Sequence, residues 1–311
     1  MKKYFIGILW QDQITPIIHL KDYYTNEDEY VCMPDEFELE MKNKKICTGT
    51  INPYTREYVS CSNPVEKGET QCSRCKYLYD FYKCVRCHGD KCNVNNVDVL
   101  NYCNSNHYVY LAYFNGGKIK VGTASEAKKY DRLLEQGALS AIFIAKTPTG
   151  KIARTIEKEI IDSGVNGMVT TNYKMKNIIL VNNDQAIILK QLFDKHKDIL
   201  KIVTSELQEY LIEPEVNVFT ALNDKIKNNM LIENTQINLF EQASNEVKQY
   251  VIKKDFHFLS GKYLFALGKI LAIEKNGTVE LIDTKKIEGY LIECKDMNFK
   301  NIYSNSRKVG R

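Results

Sequence analysis

Eight cysteines crowd one stretch of the chain: Cys47, Cys61, Cys72, Cys75, Cys84, Cys87, Cys92 and Cys103, with Cys32 and Cys294 standing apart. Cys72-x-x-Cys75 and Cys84-x-x-Cys87 carry the most information, because a two-residue loop lets both thiolates reach one ion. The chemistry implied is tetrahedral zinc coordination. Eight ligands divide into two four-thiolate sites, Cys47, Cys61, Cys72 and Cys75 for the first and Cys84, Cys87, Cys92 and Cys103 for the second. One ribbon built from both pairs is the alternative, and thiolate spacing alone also admits an iron–sulfur cluster. His88 follows Cys87 directly and would need an awkward turn to ligate; His107 is the better substitute for a thiolate. Four strong ligands leave no open position for water, so a structural role is expected. Cys32 and Cys294 border apolar runs and read as small packed thiols.

Basic and aromatic residues surround these cysteines. Lys42, Lys44, Lys45 and Arg56 flank the first ones; Arg74, Lys76, Lys83, Arg86 and Lys91 surround the pairs, with Tyr77, Tyr79, Phe81 and Tyr82 between them. Such a mixture suits a nucleic-acid backbone and base stacking. A solvated surface around a small aromatic core is the plainer alternative.

A second group of chemistry-bearing residues lies between His107 and Asn172. Val109 to Phe114 is β-branched and aromatic, Gly116-Gly117 is a turn, and Lys118 to Gly122 alternates with period two, which together predict a β-hairpin. Ser125 can cap a helix that Gly137 ends. Leu139 to Ala145 supplies a third strand, and Ile152, Ile156 and Ile160 predict a helix over 150–162. On residue types alone Tyr110 is a strand aromatic, Arg132 pairs with Glu135 on its own helix, Glu157 sits on a solvated face beside Lys158 and Arg154, and Asn172 forms a turn.

Val109-Tyr110-Leu111 followed by Lys120-Val121-Gly122 resembles the two-strand signature of the GIY-YIG nucleases. The longer match is to an uncharacterised family of GIY-YIG-like proteins with a cysteine-rich segment ahead of this core. The residues that carry it are His107 to Ala112, Lys120 to Gly122, Arg132 to Ala138 with Gln136-Gly137-Ala138, and Asn172-Tyr173-Lys174. The resemblance implies metal-dependent phosphodiester hydrolysis on DNA or RNA. In it Glu157 holds a magnesium or manganese ion, Tyr110 orients or deprotonates the attacking water, Arg132 clamps the phosphate and Asn172 completes the hydrogen-bond network. It also puts His107, Gly122 and Gln136 on the substrate side. The second signature begins with Lys120 where the nucleases have tyrosine, and a lysine neutralises phosphate charge without copying a phenol's hydrogen bonding. The same cleft therefore also suits a non-cleaving RNA- or tRNA-binding protein, or an RNA-modifying enzyme.

These residues need a scaffold. The chain has 311 residues, 44% hydrophobic and 26% charged, which is ordinary for a soluble globular protein, and a net charge of +4 that is compatible with a polyanionic partner without demanding one. No run reaches membrane-span length and Phe5 to Trp10 is too short for a signal sequence, so a cytoplasmic protein is expected. Cysteines in that setting point to metal rather than disulfides. The expected fold class is α+β. Residues 1–46 give antiparallel strands, 47–106 a zinc module, 107–180 the GIY-YIG-like core, and 181–257 a helical connector with a helix over 184–204. Residues 258–311 give β-strands around the Asn276-Gly277 turn and a basic tail, and the first and last segments are expected to share one small antiparallel β-domain.

Overall fold

A computed structural model describes residues 1–12, 15–90, 92–179, 184–232, 246–294 and 301–303. Lys91, the Ile237–Phe240 run and the tail's basic residues Lys300, Arg307, Lys308 and Arg311 lie outside the described residues. The chain is a mixed α+β structure with large sheets. No described helix is long and apolar enough to cross a membrane.

The first strands are β1 (Lys2–Trp10), β2 (Pro16–Asp22), β3 (Asp28–Cys32) and β4 (Glu36–Lys45). β1 is buried on both faces. Tyr4 and Ile6 pack with Ile46 and Leu291, whereas Phe5 and Ile8 join a second core with Ile18, Leu20 and Ile292. A bulge between Phe5 and Gly7 moves Ile8 onto Phe5's face, since one extra residue inverts the period-two pattern. The cysteine-rich segment is mostly loop. It has a short hairpin of β5 (Thr50–Ile51) and β6 (Tyr58–Val59), then α1 (Ser73–Tyr77), α2 (Tyr82–Val85) and α3 (Val97–Cys103).

The predicted hairpin is present as β7 (His107–Phe114) and β8 (Lys118–Ser125), in unbroken register from His107 opposite Ser125 to Phe114 opposite Lys118. The helix expected after Ser125 is split into a 3₁₀ turn, Glu126–Lys128, and α4 (Asp131–Gln136). Ser125 is buried at the strand end and its hydroxyl makes no capping bond. Gly137 ends α4 in the left-handed region, φ 68°, and its backbone N lies so close to Gly268 that a Cβ there would sit 2.7 Å away. β9 (Ser140–Thr147) pairs with β7 and leads into α5 (Gly150–Asp162), capped by Thr149 and burying Ile156 and Ile160. α6 (Thr171–Lys176) and α7 (Gln185–Leu200) follow, the latter capped by Asp184.

The segment expected as a helical connector instead returns to the core sheet. β10 (Leu211–Val218) pairs with β9 at the sheet edge, where Pro214 costs no ladder bond and its register shift absorbs the ring. After α8 (Thr220–Met230) come β11 (Leu231–Ile232), β12 (Glu246–Val247), β13 (Tyr250–Ile252), β14 (Phe258–Leu267), β15 (Ile270–Lys275), β16 (Thr278–Asp283), β17 (Tyr290–Cys294) and β18 (Asn301–Tyr303). The core sheet has order β10-β9-β7-β8. The larger sheet has order β13-β16-β15-β14-β4-β17-β1-β2-β3-β18, so strands from both ends of the chain pair directly. α4 and α8 pack on β14, and one hydrophobic cluster runs from Val109, Phe143 and Ile156 through Leu133 and Leu222 to Phe265 and Leu281.

Candidate functional site

Cys47 leaves the end of β4, Cys61 follows β6, and Cys72 and Cys75 open α1; their four sulfurs all lie within 4.8 Å of one another. The Cys61–Cys72 sulfur separation is 3.9 Å. Thiolates around one zinc at about 2.3 Å stand about 3.8 Å apart, so the group fits a tetrahedral ion. Backbone Cys72 N–H donates to the Cys47 sulfur and the Asn63 amide donates to the Cys72 sulfur, as expected for thiolates held for a metal. Burial resists ionisation of Cys72, but the Cys75 backbone, Asn63 and Cys47 outweigh it and bring its thiol down to about 6. Cys47, Cys61, Cys72 and Cys75 therefore form a four-cysteine cluster that fits one zinc ion.

The second quartet is different. Cys84, Cys87, Cys92 and Cys103 are electrostatic neighbours, yet among the described residues no three of them draw within that distance. Cys92 is exposed, and Cys103 lies against the backbone of Gly150 and Lys151 at the start of α5. Among the described residues His107 is not gathered into a group of metal-ligating side chains. It is buried, with Nδ1 against the Ser105 carbonyl at 2.8 Å, its ring edge-on to Tyr102 at 4.8 Å, and Nε2 without a partner beside Gly150. Burial lowers its pKa.

Beside this module β7, β8, α4 and α5 bring Tyr110, Lys120, Arg132 and Glu157 into one electrostatic group. Tyr110 points from the middle of β7 and is 1% exposed. Its phenol passes over Gly122 on the paired strand, where any Cβ would collide with it, so the glycine is a steric requirement. Burial pushes this phenol up to about 12, against the pull of Arg132 and Gln136. At neutral pH Tyr110 therefore stays protonated. Lys120 lies two residues before Gly122; burial and then Arg132 bring it down to about 8, with Glu157 opposing. Arg132 is half exposed, its Nη1 3.9 Å from Glu135, whose other oxygen Lys128 holds at 2.8 Å. Glu157 is 14% exposed and one of its oxygens takes a 2.8 Å bond from Arg154, while Oε1 makes no hydrogen bond among the described residues. Gln136 closes α4 with its Oε1 buried and unpartnered.

Asn172 is not brought to this group. It is exposed on α6 and its side chain makes no hydrogen bond among the described residues. Two residues along a helix is a rotation of about 200°, so Lys174 takes the opposite, inward face. Lys174 is 9% exposed, donates to the Gln136 carbonyl at 2.5 Å and lies 4.5 Å from the Phe114 ring. Burial, Lys120 and Arg132 bring it down to about 8. Lys174 and Arg154 are the members that residue types did not single out: each charge has the ordinary expectation of facing water. Around the cysteine module Arg74, Lys76, Tyr77, Tyr82 and Arg86 are exposed, Tyr77 and Tyr82 meet edge-on at 5.1 Å, and Lys83 pairs with Asp80. Arg56 turns inward toward Glu135 and Asp131 of α4, and burial lowers its pKa.

Two outcomes follow from this geometry. Cys75→Ser should remove one equivalent of zinc by elemental analysis and lower thermal stability, whereas Cys84→Ser should leave that equivalent in place. Lys174 has a folded pKa below its unfolded value, so between about pH 8 and pH 10.5 the unfolded chain binds more protons and stability rises with pH; below pH 8 the cost of the buried charge is present in full. Urea unfolding of wild type and Lys174→Met across pH 7 to 10 should show the stability gap closing as pH rises.

No curated protein and no solved structure matches the chain. One family model does, over residues 35–292, most of the length, and the cysteine cluster, the hairpin and the Tyr110, Lys120, Arg132 and Glu157 group all fall inside that span. The chain belongs to the family described as protein of unknown function, DUF2797.

Proposed function

We propose that the protein is a nucleic-acid phosphodiesterase of the GIY-YIG type, with the cysteine module helping to hold the strand. The observation that carries this reading is the grouping of Tyr110, Lys120, Arg132 and Glu157 on adjoining elements, each feeling the charge of others. Arg132, half exposed at the rim, is free to meet a phosphate in a charge-assisted pair, and Lys120 adds charge beneath it. Tyr110 donates a hydrogen bond from a fixed position, since its proton is held to about 12. Glu157 Oε1, without a protein partner, fits a magnesium or manganese ion held jointly with the substrate phosphate, because magnesium needs only one or two carboxylates. Such an ion, when bound, stabilises charge on the phosphoryl and leaving oxygens. The exposed Tyr77 and Tyr82 with Arg74, Lys76 and Arg86 supply stacking and phosphate contacts for the strand beyond.

A second reading, binding without cutting, is favoured by one specific feature: Arg154 already occupies half of the only carboxylate facing Lys120 among the described residues. The test is incubation of single- and double-stranded DNA, branched DNA and tRNA with magnesium or manganese. Cleavage by the wild type that falls at least a hundredfold in Glu157→Ala, with zinc content unchanged, is the expected result. Tight binding with no cutting by either protein selects the second reading.

A further inference from the structure

Lys174 is buried and Lys120 half-buried, both feel the charge of Arg132 and Lys174 that of Lys120 as well, and neither forms an ion pair among the described residues. The carboxylates nearby are engaged elsewhere: Glu157 with Arg154 at 2.8 Å and Glu135 with Lys128 at 2.8 Å. Like charges gathered away from water repel, and burying an ammonium without a counter-ion is costly. The fold nevertheless holds Lys174 there with four separate devices. Thr170 caps α6 by accepting from the Tyr173 N–H at 3.2 Å. The Tyr173 hydroxyl donates to the Gly116 carbonyl at 2.9 Å, pinning α6 to the β7–β8 turn. Met175 is buried next to it, and the Gln136 carbonyl fixes the ammonium of Lys174 from the α4 side. Two cations, on β8 and α6, thus sit where the surroundings oppose their charge, with half-exposed Arg132 of α4 beside them, which is the arrangement of a site that gains its counter-charge from a ligand.

We propose that Lys120, Arg132 and Lys174 form a seat for a phosphate oxyanion that fills without divalent metal, with Lys174, to which the resemblance gives no role, as a phosphate-binding residue. This deepens the reading of the cleft given above and rests on it. A tetrahedral phosphate accepts from all three cations at once and relieves their mutual repulsion. The side chain of Gln136, whose Oε1 is buried without a partner beside Tyr110, can turn its NH₂ toward the same oxyanion. The phosphate is either the monoester at a strand end or the diester within a strand; the chemistry recognised is shared.

The test is isothermal titration of the zinc-loaded full chain, in buffer without magnesium, with inorganic phosphate, thymidine 5′-monophosphate and the dinucleotide TpT. The wild type is expected to bind inorganic phosphate and at least one nucleotide. A preference for the monophosphate assigns the seat to strand ends, and a preference for TpT assigns it to strand interiors. Lys174→Met should weaken phosphate binding roughly tenfold or more, the loss of one charge-assisted hydrogen bond, while melting at the same or a higher temperature at pH 7. Lys174→Gln supplies a second neutral variant should the first not fold, and Asn172→Ala should bind as the wild type does. Phosphate affinity unchanged in both neutral Lys174 variants, or no binding of any probe by the wild type, overturns the proposal. Because no turnover is measured, absence of cleavage leaves the seat standing, and Glu157-dependent cleavage does not rescue it.

Discussion

Surplus positive charge under cover is the constraint on which the functional half of this molecule turns. Lys120 feels both Arg132 and Arg154, and Lys174 feels Lys120 and Arg132; among the described residues Glu157 is the carboxylate that faces Lys120, and Glu135 is already shared by Lys128. Nothing in packing alone rewards such a group, since an aliphatic side chain at position 174 would fill the same space without the repulsion. The stability that tolerates it comes from the surrounding apolar cluster, which extends from the core sheet through α4 and α8 to the face of the large sheet. The ordinary compromise between stability and activity is visible here as a specific set of side chains.

Rigid elements hold that set in place. β7 and β8 pair along their whole length, so Tyr110, Gly122 and Lys120 have positions fixed by backbone hydrogen bonds rather than by loops. α5 carries Arg154 and Glu157 one turn apart, on a helix that buries Ile156 and Ile160 against the sheet. The cysteine cluster anchors the neighbouring loop at the end of β4, and Arg56 and the Asn52–Asp98 bond at 2.8 Å tie that loop to α4 and α3. A zinc ion at Cys47, Cys61, Cys72 and Cys75 would replace the core that so short a segment cannot build for itself.

Much of this was legible in the residues. The β7–β8 hairpin announced itself by period-two alternation around Gly116-Gly117, α4 by Gly137 at its end, and the β15–β16 hairpin by Asn276-Gly277. The Cys72-x-x-Cys75 pair and its two upstream partners gather at ligand distance. What escaped did so for physical reasons. β10 mixes apolar and polar residues without strict alternation, contains Pro214 and is nowhere fully buried, so it has no strand signature except its place beside β9. Lys174 and Arg154 are charged residues on helices, where solvent is the default; only the rotation of α6, set by Thr170, Tyr173 and Met175, turns Lys174 inward and Asn172 out. The loose Cys84, Cys87, Cys92 and Cys103 group shows that equal spacing in the chain does not ensure equal convergence in space.

The central claim is that this cleft meets phosphate. The most direct measurement is the salt dependence of binding to a fluorescent single-stranded oligonucleotide, compared between wild type and the Lys120→Ala/Arg132→Ala double variant. Each phosphate neutralised on a single strand contributes about 0.7 to the slope of log affinity against log salt, and Lys120 and Arg132 meet the same phosphate, so the double variant should lose up to about 0.7. An identical slope in the two proteins, with both folded and zinc-loaded, would contradict the account.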